Sequence, residues 1–204
     1  MKLLFLGTNE SWDELNQPAE GIEWVRAADI NAFLSAKNAD AYFNMNADAA
    51  VQDYSGITKP VFINSVAVTL HASQHKKNVV RINGWNGFLK RSSWEVAGAL
   101  SPVHDQLLQV LEKKYSLVPD EPGFISARII SMIINEACFA KAENVSTENE
   151  IDTAMKLGTN YPLGPFEWAA AIGEKNVYDL LLSLSKNDTR YKPSAALEQK
   201  VKSL

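Results

Sequence analysis

The sequence predicts an α/β fold in which a doubly wound, mostly parallel sheet is followed by an all-helical C-terminal domain. Two observations predict this arrangement. Short apolar runs alternate with helical stretches up to residue 118, which is typical of parallel strands connected by helices on both faces of a sheet. From Pro119 two prolines and a glycine interrupt the chain, and every later segment has a helical pattern. We therefore predict two domains, residues 1–118 and residues 119–204.

The predicted strands are short apolar runs, as expected for strands that are covered on both faces. They occupy residues 2–6, 22–27, 41–45, 60–64, 79–85 and 117–118. Helices or helical turns are predicted between them, at residues 29–37, 47–54, 66–77 and 101–115. The last of these is the clearest, because Ser101 is a good N-cap and Pro102 suits the first turn.

The C-terminal segment is predicted to contain helices at residues 124–143, 148–157, 165–172, 174–186 and 194–202. The first of them is apolar on nearly all sides, which predicts a helix that is buried or contributes to a subunit interface. Thr147 and Glu150 form a capping-box pattern at the start of the second, and Gly158 is expected to end it as a C-cap.

Composition limits the classes of function. The chain is 46% hydrophobic and 22% charged, with a net charge of -4, so no positive field favours nucleic acid or an anionic membrane surface. No apolar stretch approaches the roughly 20 residues of a membrane span, and the apolar run at residues 3–6 is too short for a signal peptide. Cys138 is the only cysteine of the sequence, so it cannot form an internal disulfide, which fits a reducing cytoplasm. We expect a cytoplasmic protein that binds neither nucleic acid nor membranes.

Four motifs in the C-terminal segment resemble the C-terminal domain of 3-hydroxyacyl-CoA dehydrogenases. They have the family's order and spacing, and they are Pro122-Gly123-Phe124-Ile125, Asn135-Glu136-Ala137, the run from Glu150 to Gly158, and the run from Tyr161 to Glu167. The resemblance implies a shortened, degenerate Rossmann-like NAD-binding domain before residue 119. It also implies an acyl-CoA ligand, NAD as cofactor and a homodimer formed through the C-terminal helices.

The catalytic base of the family is a histidine that takes a proton from the substrate hydroxyl, and a glutamate orients it. The family segment ends Gly-Leu-His-Phe-Phe-Asn-Pro and is followed by Val-Glu-Val. The matching residues here place Asn83 at the histidine position, while Asn86 and Glu95 keep the family register. An amide cannot accept and carry a proton near pH 7. Glu95 is therefore either a retained partner without its histidine or a surface or interface carboxylate.

The other cleft positions are also altered. The family asparagine that follows Pro-Gly-Phe and touches the catalytic centre corresponds to Ala127. The family Ser-Asn-Thr-Ser-Ser strand end is kept in part by Asn64 and Ser65, and its serine corresponds to Val66 or Ala67.

The cofactor motif is degenerate. A Rossmann fingerprint needs Gly-x-Gly-x-x-Gly after the first strand, so that backbone amides and a helix N-terminus receive the pyrophosphate. Only Gly7 remains, Trp12 replaces the last glycine, and Glu10 adds a negative charge. Asp29 could mimic the acid that binds the ribose hydroxyls, but helix N-capping is the more common role of such a residue. We expect weak or lost NAD binding.

The histidines offer no obvious replacement base. His71 and His75 lie four residues apart in a predicted helix, a spacing that could orient two imidazoles toward a metal. No matched cysteine or carboxylate motif accompanies them, so we predict solvated side chains and no metal. His104 is expected to be exposed.

Three functions are consistent with these patterns. The first is a 3-hydroxyacyl-CoA dehydrogenase-like protein without normal hydride transfer, motivated by the simultaneous loss of the base, the glycine loop and the cleft asparagine. The second is an active NAD-dependent dehydrogenase with a relocated base. The third is a non-catalytic dimeric binding or scaffold subunit.

Overall fold

A computed structural model of the chain describes residues 1–17, 20–75 and 77–203. The chain forms two compact units, Met1–Phe124 and Ile125–Leu204. The first unit contains the sheet and the second is helical. Residues 119–124 lie with the sheet unit, although the sequence places the domain boundary before them.

Within the described residues, the first unit has one seven-stranded sheet in the order β2-β1-β3-β4-β5-β6-β7. Strands β1 to β5 are parallel, β6 is antiparallel to β5, and β7 is parallel to β6. The predicted doubly wound, mostly parallel sheet is thereby confirmed. The strands are β1 (Lys2–Leu6), β2 (Glu23–Arg26), β3 (Ala41–Asn44), β4 (Val61–Asn64), β5 (Val79–Ile82), β6 (Ser93–Ala97) and β7 (Lys114–Leu117).

Both faces of the sheet are covered by short helices, which explains the near-continuous apolar runs of the central strands. One face packs Phe5, Phe43 and Phe62 under the helix Pro102–Val110, and the other packs Phe33 and Tyr42. The helices are α1 (Asn9–Leu15), α2 (Ile30–Ser35), α3 (Leu70–Ser73) and α4 (Pro102–Val110), with a 3-10 turn at Ala49–Val51.

The sheet contains one strand that the sequence analysis missed and one that it shortened. In β6, Trp94 and Val96 are buried whereas Glu95 is only half-buried, so the strand has the alternating pattern of period two. Residues 114–117 extend the short strand predicted at 117–118 and end helix α4 at Val110 rather than 115. All four residues of β7 are exposed, so hydrogen bonding to β6 defines this edge strand and no burial pattern marks it.

Two predicted helices are much shorter than expected. The segment 47–54 has only one 3-10 turn, and the segment 66–77 has only α3. Gln74 ends α3 in the left-handed region at φ 55°. Residue 76 of the predicted segment lies outside the described residues.

The second unit consists of helices whose positions match the predicted ones closely. Thr147 and Glu150 form the predicted capping box. The chain has α5 (Ser126–Ala142), α6 (Glu148–Thr159), α7 (Pro165–Ile172), α8 (Glu174–Ser185) and α9 (Ala195–Lys202). In the described part of the chain, no helix is both long and apolar enough to cross a membrane.

Gly158 does not end α6 as predicted. The helix continues through it to Thr159, and Asn160 is the left-handed C-cap at φ 56°. Asparagine tolerates this conformation better than most residues because its short polar side chain bonds locally. The next turn depends on Gly164, where an added Cβ would lie 2.4 Å from Cβ of Asp152. The Asp152 carboxylate accepts hydrogen bonds from the amides of Phe166 and Glu167 at 2.8 and 3.2 Å, so it caps α7.

Candidate functional site

The carboxyl ends of the parallel strands form one edge of the sheet. In open α/β sheets, ligands bind at this edge, where the strand order reverses. Here the reversal lies between β1 and β3. The predicted cofactor and cleft residues of the first unit follow strands at this edge, with the exception of Glu95 on the antiparallel strand β6.

The turn between β1 and α1 is tightly packed. An added Cβ at Gly7 would lie 2.8 Å from Oγ of Ser11 and 3.0 Å from Cβ of Met45, so only glycine fits there. Thr8 caps α1 by accepting a hydrogen bond from the Ser11 amide at 3.3 Å. Hydrogen bonds from the backbone amide of Glu10 and from the Thr8 hydroxyl lower the pKa of the Glu10 carboxyl. A carboxylate of this chain therefore occupies the N-terminal turn of α1.

Asp29 and Arg26 lie at the end of β2, on the strand next to Gly7. Oδ1 of Asp29 accepts a hydrogen bond from the Ala32 amide at 2.8 Å, so this residue is the N-cap of α2. Arg26 donates to Oδ1 of Asn9 at 2.8 Å and to the carbonyl of Gly7 at 3.1 Å. The guanidinium thus contacts the β1–α1 turn directly.

Asn64 links the ends of three neighbouring strands. Its Nδ2 donates to the carbonyl of Met45 at 3.3 Å, and its Oδ1 accepts from the amide of Gly84 at 3.2 Å. An added Cβ at Gly84 would lie 2.7 Å from Cβ of Asn64. The neighbouring Ser65 donates its hydroxyl proton to the carbonyl of Val68 at 2.5 Å. Both predicted cleft side chains therefore make hydrogen bonds within the protein.

Asn83 directly follows β5, and Glu95 lies in β6, the strand that pairs with β5. Arg81 pairs with Ala97 and Ile82 with Val96, so Asn83 and Glu95 each lie one residue beyond the last of these pairs. Asn83 is 5% exposed, and its Oδ1 accepts from the Trp85 amide at 3.3 Å.

The remaining predicted cleft residues, Asn86 and Ala127, lie in other segments of the chain. Asn86 is half-buried in the loop after β5. Ala127 is fully buried in α5 of the helical unit.

A buried arginine network was missed by the sequence analysis. Arg81 is 0% exposed in β5, and its Nε donates to Oδ1 of Asp120 at 2.6 Å. Its other nitrogens donate to the carbonyls of Ser65 and Glu121, and its guanidinium lies 4.4 Å from the ring centroid of Phe124. Burial lowers the pKa of Arg81, and the charge of Asp120 opposes that shift. The available signal was a single arginine within the apolar run at 79–85.

The histidines differ from expectation. His104 is 1% exposed, not exposed as predicted, because its ring replaces the glutamate of a capping box. The Ser101 amide donates to its Nδ1 at 3.1 Å. Burial lowers the pKa of His104, and a hydrogen bond to the carbonyl of Asn78 opposes this.

The other two histidines do not share a helix. His71 lies in α3, whereas His75 lies beyond its end, with Nε2 2.8 Å from the carbonyl of Ala50. Over the described ranges, no group of three or more histidine, cysteine, aspartate or glutamate residues could hold a metal ion.

Comparison with known proteins identifies the helical unit. Residues 123–204 match the family model described as 3-hydroxyacyl-CoA dehydrogenase, C-terminal domain. This C-terminal domain belongs to the 3-hydroxyacyl-CoA dehydrogenase family. The resemblance expected from the motifs between Pro122 and Glu167 is confirmed.

Curated members of the 3-hydroxyacyl-CoA dehydrogenase family match less than half of the chain. The 3-hydroxyadipyl-CoA dehydrogenase of Escherichia coli is 41% identical over 95 residues, which cover 46% of this chain and 20% of that protein. The probable 3-hydroxybutyryl-CoA dehydrogenase of Bacillus subtilis is 38% identical over 87 residues, which cover 42% and 30%. In these matches the chain spans less than a third of either relative.

Solved structures extend the likeness in fold to the sheet unit. (S)-3-hydroxybutyryl-CoA dehydrogenase PaaH1 from Ralstonia eutropha has a TM-score of 0.72 at 18% identity, covering 99% of this chain and 93% of that one. FadB2 from M. tuberculosis has a TM-score of 0.73 at 11% identity, covering 98% and 93%. The chain is therefore 3-hydroxyacyl-CoA dehydrogenase-like in fold over nearly its whole length.

Proposed function

We propose that the chain is a 3-hydroxyacyl-CoA dehydrogenase-like protein of acyl-CoA metabolism that does not perform normal NAD-dependent hydride transfer. The observation that carries this proposal is Asn83. It directly follows β5, at the position where the family resemblance calls for a histidine, and Glu95 lies in the paired strand β6 at the position of the orienting glutamate. The residue at the position of the proton acceptor is an amide.

The chemistry of the amide supports this proposal. Oxidation of a secondary alcohol requires a group that removes the hydroxyl proton as the hydride leaves, and such a base contributes a factor of about 10²–10⁴. A neutral amide has no protonation equilibrium near pH 7. Oδ1 of Asn83 also accepts the Trp85 amide hydrogen, so this oxygen serves the turn after β5.

The residues of the β1–α1 turn do not fit the pyrophosphate of NAD. A pyrophosphate binds where free backbone amides and a positive helix end face it. Here Thr8 caps the helix, and the Glu10 carboxylate accepts its own backbone amide. The negative side chain of Glu10 would repel the phosphates. The second and third glycines of the fingerprint, which would let the backbone approach the pyrophosphate, are absent after Gly7. Weak or lost NAD binding is therefore part of the proposal.

Turnover is the direct test of the proposal. Purified protein with acetoacetyl-CoA and millimolar NADH is expected to show no NADH oxidation above the protein-free rate at 340 nm, with an active family enzyme as positive control. Asn83→His restores the imidazole but not the glycine loop, so it is expected to remain inactive too. A normal family rate in the unmodified protein would refute the proposal.

An active dehydrogenase with a relocated base is the second candidate, and it is favoured by the retained Glu95. Calorimetry with NAD and NADH separates the two candidates. Binding of cofactor at micromolar concentration supports the active dehydrogenase. The absence of binding heat at millimolar cofactor excludes it. In the first candidate, the fold acts as a binding subunit that can still take an acyl-CoA.

We also propose that the protein is a homodimer through its C-terminal helices. Ile129 and Phe139 of α5 are 51% and 39% exposed, and a dimer contact through this helix would remove these large apolar side chains from water. Sedimentation equilibrium is expected to give twice the chain mass of 22.6 kDa. Ile129→Glu is expected to shift the mass toward the monomer, and Asn149→Glu on the exposed side of α6 serves as the charge control. A monomer at all concentrations would contradict the dimer.

A further inference from the structure

The loop after β5 binds a carboxylate of the chain itself. Glu14 extends from the last turn of α1, and its two oxygens accept hydrogen bonds from three backbone amides. These amides belong to Gly87, Leu89 and Lys90, the last two at 3.1 and 3.3 Å. Gly87 has φ 90°, which lets successive N–H groups turn toward one point. Backbone amides arranged in this way form a concave site for anions.

Cationic side chains surround the same loop. Lys113 donates to the carbonyls of Leu89 and Arg91 at 3.0 and 2.9 Å. Burial lowers the pKa values of Lys113 and Arg91. The charge of Glu14 opposes the shift of Lys113, and the charges of Glu95 and Glu14 oppose the shift of Arg91. Glu14 therefore contributes to compensating two partly buried cations, in addition to accepting the three amides.

A cavity of about 600 Å³ lies beside this loop. Leu15, Trp94 and Leu111 form its apolar wall. Its polar lining includes the cations Lys90 and Lys113 and also the carboxylates Glu20 and Glu112. Ligand sites commonly have volumes of roughly 300–1,000 Å³ and combine an apolar wall with a few polar groups. The cavity shares Lys90 with the loop and has Leu15 next to Glu14 in its wall.

We propose that the loop 87–90 is a binding site for a small anion, a carboxylate or a phosphate group, and that Glu14 keeps it closed. An anion entering through the cavity displaces Glu14 and takes over its hydrogen bonds. The site is separate from the β1–α1 turn and does not depend on hydride transfer, so it can be present whether or not the protein is a dehydrogenase.

The test is to remove the Glu14 carboxylate from the loop. Inorganic phosphate and acetate are titrated separately into ¹⁵N-labelled unmodified protein, Glu14→Ala and Asp13→Ala. Asp13 is an exposed neighbour that changes the net charge equally without touching the loop. Glu14→Ala is expected to bind at least one of the two anions at least tenfold more tightly than the other two proteins. The amide resonances of residues 87, 89 and 90 are expected to shift.

Each outcome decides the proposal. Equal affinities in the three proteins, or shifts elsewhere than in the loop, overturn it. Tighter binding of acetate alone identifies a carboxylate site, and tighter binding of phosphate alone identifies a phosphate site. If Glu14→Ala does not fold, Glu14→Gln retains one acceptor oxygen and removes the charge. The same comparison with Asp13→Asn then applies, and equal affinities again overturn the proposal.

Discussion

Replacing Asp120 with alanine is expected to lower the free energy of unfolding by about 3–5 kcal/mol. Arg81 is 0% exposed, and Asp120 supplies its charged partner. Removing one member of a buried pair leaves the other charge uncompensated, which costs more than the pair itself contributes. Asp120 also accepts the amides of Leu70 and His71 at 3.1 and 3.0 Å, so its loss additionally leaves these two amides of the first turn of α3 without that acceptor, although Thr69 remains the N-cap.

Denaturant unfolding followed by tryptophan fluorescence measures this effect. Trp12, Trp24, Trp85 and Trp94, four of the five tryptophans, lie in the sheet unit, so the signal reports mainly on that unit. Asp13→Ala is the control and is expected to change the free energy by less than about 0.5 kcal/mol, as for most surface substitutions.

Arg81→Met combined with Asp120→Ala removes both charges. It is expected to be more stable than Asp120→Ala alone, because no charge then remains buried without a partner. A single Asp120→Ala variant within about 1 kcal/mol of the unmodified protein would contradict this account of the pair.

The second large effect is expected at Gly164, where alanine should destabilise the helical unit by about 2–4 kcal/mol. The new Cβ would lie 2.4 Å from Cβ and Oδ1 of Asp152. Relief of that overlap must move Asp152, whose carboxylate caps α7. Overpacking and loss of the cap therefore act together.

Gly158→Ala is the matched control for Gly164→Ala. Gly158 lies inside α6 with nothing within 4 Å of an added Cβ, so alanine there is expected to stabilise the helix by about 0.5–1 kcal/mol. Thermal unfolding followed by circular dichroism at 222 nm compares the two variants. Equal unfolding midpoints for Gly164→Ala and Gly158→Ala would show that the contact with Asp152 does not exclude a side chain at residue 164.

The predictions from sequence succeeded where the signal was local. Thr147 with Glu150, and Pro165 at the start of α7, mark helix ends through residues three or four positions apart, and capping chemistry acts over that distance. The apolar runs of β1, β3 and β4 predicted buried parallel strands because this pattern also lies within a few consecutive residues. Family motifs identified the C-terminal domain because their spacing is preserved within one continuous segment.

The sequence predicted which positions belong to the candidate site, but not the contacts that these residues make. The alignment of Asn83 and Glu95 with a histidine and a glutamate needed the family pattern, and the location of Glu95 in a strand paired with β5 needed β6, which the sequence analysis did not find. Asn64 was assigned to the cleft from its position at a strand end. Its two hydrogen bonds, to Met45 and Gly84, depend on strands 19 and 20 residues away.

The amino-acid sequence by itself determined the parallel sheet, the helical C-terminal domain with its family, and the absence of an imidazole at position 83. Tertiary structure alone decided that Arg81 pairs with Asp120, 39 residues away, and that Glu14 binds a loop 73 to 76 residues further on. Helix caps and strand patterns arise from neighbours in the chain, whereas the partner of a buried charge is set by which distant segments the sheet brings together.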